Sequence, residues 1–433
     1  MTKELDHLKR REFLKAGAVL AAFSIVPRHV LGKGYTAPSD RHTLGFIGCG
    51  RKGNGLRTPF LNTGKVQIVA ASDAYASKQK HFLEATDQWY AEKNNKGSYK
   101  SVTGYSDFRE LLARKDIDAV VIASPDHWHG SMAVLAANAG KDIYCEKPLS
   151  LTVKEGRAMV DATRKNNRVF QTGSMQRSAQ EFRQAVQLVR SGVIGKVQKV
   201  VVNVGGPPKA WDLTSEPLVD GLDWNAWVGP NVNKRPFNHV VAPPLDADFW
   251  PKWRDYDEFG GGGMTDWGAH MFDIAQWGLD MDSSGPVEVV YSEPDQGLVY
   301  KYANGVEMVH QPMSGSNFCQ FIGSDGTVWV SRGKLKVTPE TMQNKEFESG
   351  AFGVYDSQNH YLDFLKAIET RKPPICDVET GHRTATICNL GNIAYKLKRS
   401  LRWDPLQEII AKDPEATRLL GRKMDPEWDI LNS

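Results

Sequence analysis

One turn constrains this chain more than any other feature. Gly48-Cys49-Gly50-Arg51-Lys52-Gly53 follows the apolar run Leu44-Gly45-Phe46-Ile47, and a second run, Val66 to Ala71, closes on Ser72-Asp73. Glycines at this spacing after a strand, with an acidic residue 20 positions past Gly53, are the setting in which a βαβ unit cradles a pyrophosphate. Gly48 permits the tight turn, Gly50 lets backbone approach the phosphates beside Arg51, and Gly53 lets the next helix pack on the sheet. Asp73 accepts hydrogen bonds from the adenosine ribose, and its charge repels a 2′-phosphate, which favours NAD over NADP. Gly55 and Pro59 are poor helix residues, so the first helix is expected to be short or irregular.

The alternation continues along the chain. Ala76 to Lys93 has helical periodicity, Asp107 to Arg114 reads as a short helix behind a Ser106 cap, and Ala119 to Ala123 is a buried strand. His129 to Ala139 is helical, Asp142 to Cys145 is a strand, and Thr152-x-x-Glu155 opens a helix with a capping box. This spacing predicts an α/β fold with an N-terminal Rossmann domain, a doubly wound parallel sheet over 41–166.

A second α/β domain is expected over 167–399, with 400–433 as a C-terminal tail. Val197 to Val204, Val287 to Tyr291, Val306 to His310, Phe318 to Ile322 and Thr327 to Val330 read as strands. They predict an open, mostly antiparallel sheet with one face toward the cofactor domain. Gln358 to Thr370 and Glu379 to Lys398 read as helices, the second packing back on the first domain. Between strand and helix lies a Pro- and Trp-rich stretch, 205–259, with Trp211, Trp224, Trp227, Trp250 and Trp253. A loop of that length in a compact domain is usually functional. Aromatic faces suit the C–H faces of sugar rings, which makes Trp211 and Trp253 candidate substrate contacts; the alternative is that the tryptophans hold the loop together.

A length of 433 residues favours two domains. With 54 Lys and Arg against 51 Asp and Glu, no field recruits nucleic acid or acidic membranes. Five scattered cysteines without a Cys-x-x-Cys argue against a disulfide framework or a zinc site. Arg10-Arg11-Glu12-Phe13-Leu14-Lys15 precedes an apolar run, Ala16 to Val26, that is too short to span a bilayer. Residues 1–33 therefore read as a twin-arginine signal, addressed to the twin-arginine export machinery and implying a periplasmic or exported protein. A protein exported folded carries its cofactor with it, tightly bound, because little soluble nicotinamide is available outside.

Three further segments carry a family resemblance. They are Ala123-Ser124-Pro125-Asp126-His127-Trp128-His129, Tyr144-Cys145-Glu146-Lys147-Pro148-Leu149, and the run Gly260 to Gly263 followed by Met264-Thr265-Asp266-Trp267-Gly268-Ala269-His270-Met271-Phe272-Asp273. In this order behind the glycine turn, they make the chain resemble the Gfo/Idh/MocA oxidoreductases from about residue 41 to 399. The resemblance implies an NAD(P)-dependent hydride transfer at a sugar, glycoside or cyclitol hydroxyl, in a homo-oligomer. Lys147 falls at a strand's carboxyl end, where its ammonium can hydrogen-bond the reacting oxygen and stabilise alkoxide character. Asp266 and His270, four apart, share a face if they lie on one helix. By resemblance His270 is the acid/base and Asp266 orients it or the substrate, and an imidazole has the pKa to pass protons near neutrality. Ser124, Pro125, His129 and Glu146 join Lys147 as candidate cofactor contacts, Pro125 and His129 on the nicotinamide side; the alternative for His129 is a cap on the following helix. Gln176 and Arg177, in the turn Gln171 to Arg177, and Asp273 are candidate substrate contacts; the alternative for Arg177 is a structural anchor. The chemistry needs no metal, and a ligand set of His127, His129, Asp266 and His270 is the weaker reading.

A second reaction class uses the same parts. Transient oxidation of a ring hydroxyl acidifies the neighbouring C–H, elimination breaks a glycosidic bond, and the hydride returns, so NAD never leaves. Motifs specific to the NAD-dependent N-acetylgalactosaminidases are not recognised in the chain. A non-catalytic sugar-binding role is disfavoured by the intact Lys147, Asp266 and His270.

Overall fold

Short runs that are apolar throughout make strands buried on both faces. In the computed structural model, which describes residues 41–432 except 95–96, 294, 313–314 and 344, six strands form one parallel sheet, and Ala119–Ile122 near its centre is such a run. The twin-arginine segment 1–33 lies outside the described residues. The strands are β1 His42–Ile47, β2 Val66–Ser72, β3 Thr103–Tyr105, β4 Ala119–Ile122, β5 Asp142–Cys145 and β6 Phe170–Thr172. Their order is β3-β2-β1-β4-β5-β6, so the winding reverses between β1 and β4, where an open sheet leaves a crevice for a ligand. On one face Val120, Ile122 and Ile143 pack under the helices Phe108–Ala113, Asp126–Asn138 and Val153–Lys165. On the other, Leu44, Phe46 and Val121 pack under Arg51–Asn62, Ala76–Lys93 and the later helix His360–Thr370.

Three local expectations are corrected. The first helix is neither short nor irregular: Arg51–Asn62 runs for 12 residues with Pro59 inside it. Leu56, Phe60 and Leu61 are buried, and Phe60 meets Tyr144 edge-on at 5.3 Å. Burial at roughly 1.5–3 kcal/mol per large side chain outweighs the propensity costs of one glycine and one proline. The short helix Phe108–Ala113 is capped by the Asp107 carboxylate, which accepts from the Arg109 N–H, and not by Ser106. The helix expected from His129 begins at Asp126, directly after Pro125.

The second sheet has nine strands in the order β13-β12-β11-β7-β10-β9-β8-β14-β15. They are β7 Val197–Val204, β8 Glu288–Val290, β9 Leu298–Lys301, β10 Glu307–Pro312, β11 Phe318–Gly323, β12 Thr327–Ser331, β13 Lys334–Thr338, β14 Leu401–Asp404 and β15 Ile409–Ile410. The β7–β10 pair is parallel and its neighbours are antiparallel. One face buries Val200, Val202, Phe321 and Val330 against residues of the helices Gln180–Arg190, Gly268–Gly278 and Val378–Leu397. Those helices, rather than the parallel sheet, are its principal contact. Helix Val378–Leu397 packs on Val153–Lys165 as expected, joined by the Arg157–Glu379 pair at 2.9 Å.

Residues 400–433 are not an appended tail. They supply β14 and β15, and Trp428 then packs against Trp128 at 4.8 Å and Phe108 at 5.7 Å. The 205–259 stretch carries its own aromatic core of Trp227, Phe237, Trp253, Tyr256 and Phe259, with Trp224 stacked on Trp227 at 4.7 Å. Most of its tryptophans hold the loop together.

Candidate active site

The carboxyl ends of β1, β2, β4 and β5 open into a cleft of about 940 Å³. Gly48 turns there with φ +95°, and an added Cβ would stand 2.6 Å from the Ala123 carbonyl carbon. At Gly53 a Cβ would meet the Gly48 carbonyl oxygen at 2.1 Å, whereas at Gly50 it would project into open space. Gly53 therefore packs helix against turn, and Gly50 leaves bare backbone on the cleft. Asp73 accepts from the Cys49 N–H at 2.7 Å and the Tyr75 N–H at 2.8 Å, which fixes its carboxylate at the mouth of β2. Burial raises the Asp73 pKa, against the opposing pull of Lys78 and those two N–H groups. This cradle, with Arg51, Ser124 and Pro125 along its wall, fits the pyrophosphate and ribose of a dinucleotide.

At the other end of the cleft, Lys147 follows β5. Its ammonium donates to Asp266 Oδ1 at 2.7 Å and to the Asp266 carbonyl at 2.8 Å. Arg254 Nε lies 3.6 Å from the same Oδ1. Burial pushes the Asp266 pKa up, but Lys147 and Arg254 together outweigh it and hold the carboxyl below its usual range. The neighbouring Glu146 is buried, pairs with Lys52 at 3.1 Å, and fills the space that a side chain on Gly173 would need.

Asp266 and His270 do not share one continuous helix. Gly262–Asp266 ends at Trp267 and Gly268–Gly278 begins after it, yet both side chains line the cleft. Arg332, at the turn between β12 and β13, donates to His270 Nε2 at 3.1 Å and lies over the Trp267 ring at 4.5 Å. Because guanidinium is only a donor, Nε2 is the unprotonated ring nitrogen. Burial foremost, then Lys147 and Arg332, lowers the His270 pKa well below its ordinary value.

Of the sequence-derived candidates, Lys147, Asp266, His270, Gly48, Gly50, Arg51, Asp73, Ser124, Pro125, Glu146 and Trp253 line this cleft. His129 does not. Its buried ring faces the Pro148 carbonyl at 2.8 Å and the Ser124 carbonyl at 3.1 Å, joining two strand-end turns, and burial lowers its pKa to about 4. Trp211 donates to the Leu213 carbonyl and packs against Tyr256, outside the cleft. Gln176 is buried near Met271 Sδ. Arg177 and Asp273 form a buried pair, Nε to Oδ2 at 2.8 Å, closed by Asp282 at 2.7 Å.

The last arrangement predicts a structural role. Arg177→Met strands Asp273 without its cation and should cost about 3–5 kcal/mol of unfolding free energy, read by urea denaturation. Unchanged stability with lost sugar binding would return Arg177 to the substrate site.

Sequence reasoning missed Arg254, Arg332, Trp250, Trp267 and Lys52, which also line the cleft. Lys52 sat inside the glycine turn, and Arg332-Gly333 carried a hairpin signal behind a recognised strand. Arg254 had no local signal.

The Rossmann-fold NAD-binding domain of the Gfo/Idh/MocA oxidoreductase family matches residues 43–174, and that family's C-terminal alpha/beta domain matches 179–430. Over 211 residues the chain is 31% identical to glycosyl hydrolase family 109 protein 1 of Shewanella sp. (strain ANA-3), a match covering 45% of each chain. The chain thus spans about half the length of the curated relatives it matches. Among solved structures, the aldose-aldose oxidoreductase from Caulobacter crescentus complexed with glycerol is 18% identical, with a TM-score of 0.57 over 84% of this chain and 99% of that one. The WlbA dehydrogenase from Bordetella pertussis, in complex with NADH and UDP-GlcNAcA, is 17% identical with a TM-score of 0.59 over 84% and 98%. Likeness at such identity is a likeness of fold.

Proposed function

The chain belongs to the Gfo/Idh/MocA oxidoreductase family, and from that premise we propose that it moves hydride between NAD and a ring hydroxyl of a sugar, glycoside or cyclitol. The observation that carries this reading is the meeting of Lys147, Asp266 and His270 in the cleft that begins at the glycine turn. Bound NAD supplies the hydride acceptor. Lys147 donates to the reacting oxygen and stabilises it as charge develops. Asp266 holds the ammonium in place through two contacts. His270 takes the hydroxyl proton at Nε2 once Arg332 yields that lone pair. Asp73 at the ribose position favours NAD over NADP.

A second reading, the redox-neutral cleavage of a glycosidic bond, is favoured by a specific feature. Arg51 in the glycine turn donates to the Leu245 carbonyl at 3.2 Å, and its guanidinium lies 5.6 Å from the Trp250 ring, so the 205–259 loop crosses the turn. The loop is also fastened behind β2, where the Asp223 N–H donates to the Ala74 carbonyl and the Ala76 N–H to Gly221. Glu427 and Trp428 close the far end of the cleft on Arg109. Such a strap supports a cofactor that stays bound through many turnovers, and the glycosyl hydrolase names of the curated relatives agree with that chemistry. Export in folded form, as residues 1–33 suggest, would require a cofactor loaded beforehand.

The test is the cofactor content of purified protein. Protein is denatured, released nicotinamide is quantified by mass spectrometry, and intact protein is incubated with glycosides without added NAD. Near-stoichiometric NAD with glycoside turnover and no net NADH supports the redox-neutral cycle. Empty protein that reduces added NAD with a free sugar or cyclitol supports a simple dehydrogenase. Protein that neither binds NAD nor acts on any sugar overturns both.

A further inference from the structure

The inner end of the cleft holds more cations than it pairs. Lys52 is matched by Glu146 at 3.1 Å. Lys147 and Arg254 share the single carboxylate of Asp266, at 2.7 and 3.6 Å. Arg332 has no carboxylate at ion-pair distance among the described residues; the side chain it bonds is His270, at 3.1 Å. The remaining acid of this end, Asp126, is buried, and burial pushes its carboxyl well above the usual range. Four cations, Lys52, Lys147, Arg254 and Arg332, therefore face three carboxylates, Glu146, Asp266 and the buried Asp126.

Arg332 is also built to be held in place. Its guanidinium lies over Trp267 at 4.5 Å. It opens the Arg332-Gly333 turn between β12 and β13, where Gly333 has φ +68° and its N–H donates to Glu181 Oε1 at 2.9 Å. The residue is exposed on the cleft wall, so donors not used by His270 face solvent. A planar, pre-oriented guanidinium recognises oxyanions that present two acceptor oxygens, by paired hydrogen bonds.

We infer that the substrate is a sugar bearing an anionic substituent, a carboxylate or a sulfate ester, which Arg332 anchors beside His270. The inference rests on the sugar-oxidoreductase reading above. It adds a consequence for the base. When the oxyanion draws the guanidinium off Nε2, the lone pair that takes the hydroxyl proton is freed. A neutral sugar leaves Arg332 on His270 and forgoes both effects.

The experiment is calorimetric titration of NAD-supplemented wild-type protein with methyl glucuronide, methyl galacturonide, glucose 6-sulfate and the neutral methyl glucoside and galactoside. Arg332→Gln and Arg332→Lys are titrated in parallel. At least one anionic sugar should bind wild type about 10- to 100-fold more tightly than its neutral counterpart, the range of a charge-assisted hydrogen-bonded pair. R332Q should erase the difference between anionic and neutral sugars, and R332K should retain part of it. Preference confined to uronides assigns a carboxylate, and preference confined to the sulfated sugar assigns a sulfate ester. Equal affinities in wild type, no binding by either class, or a preference that survives R332Q overturns the inference. Anionic preference without turnover of any sugar overturns the hydride-transfer reading and leaves the anion site standing. Turnover of neutral sugars with no anionic preference does the reverse.

Discussion

Replacing Lys147 by Met should lower kcat by about 10²- to 10³-fold, the usual cost of removing one donor from a developing oxyanion, while bound NAD stays at the wild-type level. The fold should survive, because Asp266 keeps Arg254 as a second cation at 3.6 Å. Asp266→Asn should cost less than K147M. The Lys147 ammonium also bonds the Asp266 main-chain carbonyl, so its position is half retained when the carboxylate is lost. Single-turnover oxidation of a responsive sugar, with cofactor content measured on the same preparations, separates the two variants. Equal losses in both would mean that Asp266 contacts the reacting atoms itself. Loss of NAD from K147M would make the lysine a cofactor anchor.

His270→Gln should lower kcat by roughly 10²- to 10⁴-fold, the span of a positioned general base. Glutamine can still accept from Arg332, so the variant removes proton transfer more than architecture. The pH profile gives an independent check. Burial, then Lys147 and Arg332, depresses the His270 pKa, so the free enzyme holds a neutral imidazole down to well below the ordinary value of about 6.5. A base is competent above its pKa. kcat/KM, which reports the free enzyme, should therefore be level through pH 6–7 and fall only as pH drops toward that lower value. Asp266, held below its usual range by Lys147 and Arg254 against burial, loses its charge later than an ordinary carboxylate and adds no limb near neutrality. An acidic limb centred near 6.5 in wild type, absent from H270Q, would show that the imidazole titrates as if exposed and that the ion cluster does not tune it.

The cofactor half of the site was legible because its signals are local. A glycine turn, the strand before it and the acid after the next strand lie within one βαβ unit, and each residue type answers a constraint of backbone or charge inside that unit. Gly48 is at φ +95° and Gly53 has no room for a Cβ, as the spacing demanded. Helix Arg51–Asn62 was misjudged for a complementary reason. Propensity counts Gly55 and Pro59, whereas the Phe60 ring against Phe46 and Tyr144 is tertiary. His129 and Arg177 sit in motifs that look functional and are nonetheless consumed by buried bonds, to the Pro148 carbonyl and to Asp273.

The sequence by itself determined the parallel sheet, the glycine turn with Asp73 at the end of the next strand, and the placing of Lys147 at a strand terminus. Those features follow from periodicity and from steric rules acting over a few residues. Tertiary structure decided which charges meet. Lys147 finds Asp266 across 119 positions, and Arg332 finds His270 across 62. Arg177 is taken out of the cleft by Asp273, 96 positions away. The pKa of a base and the spare charge of a pocket are properties of packing distance and desolvation, and those come into being only when distant segments close on one another.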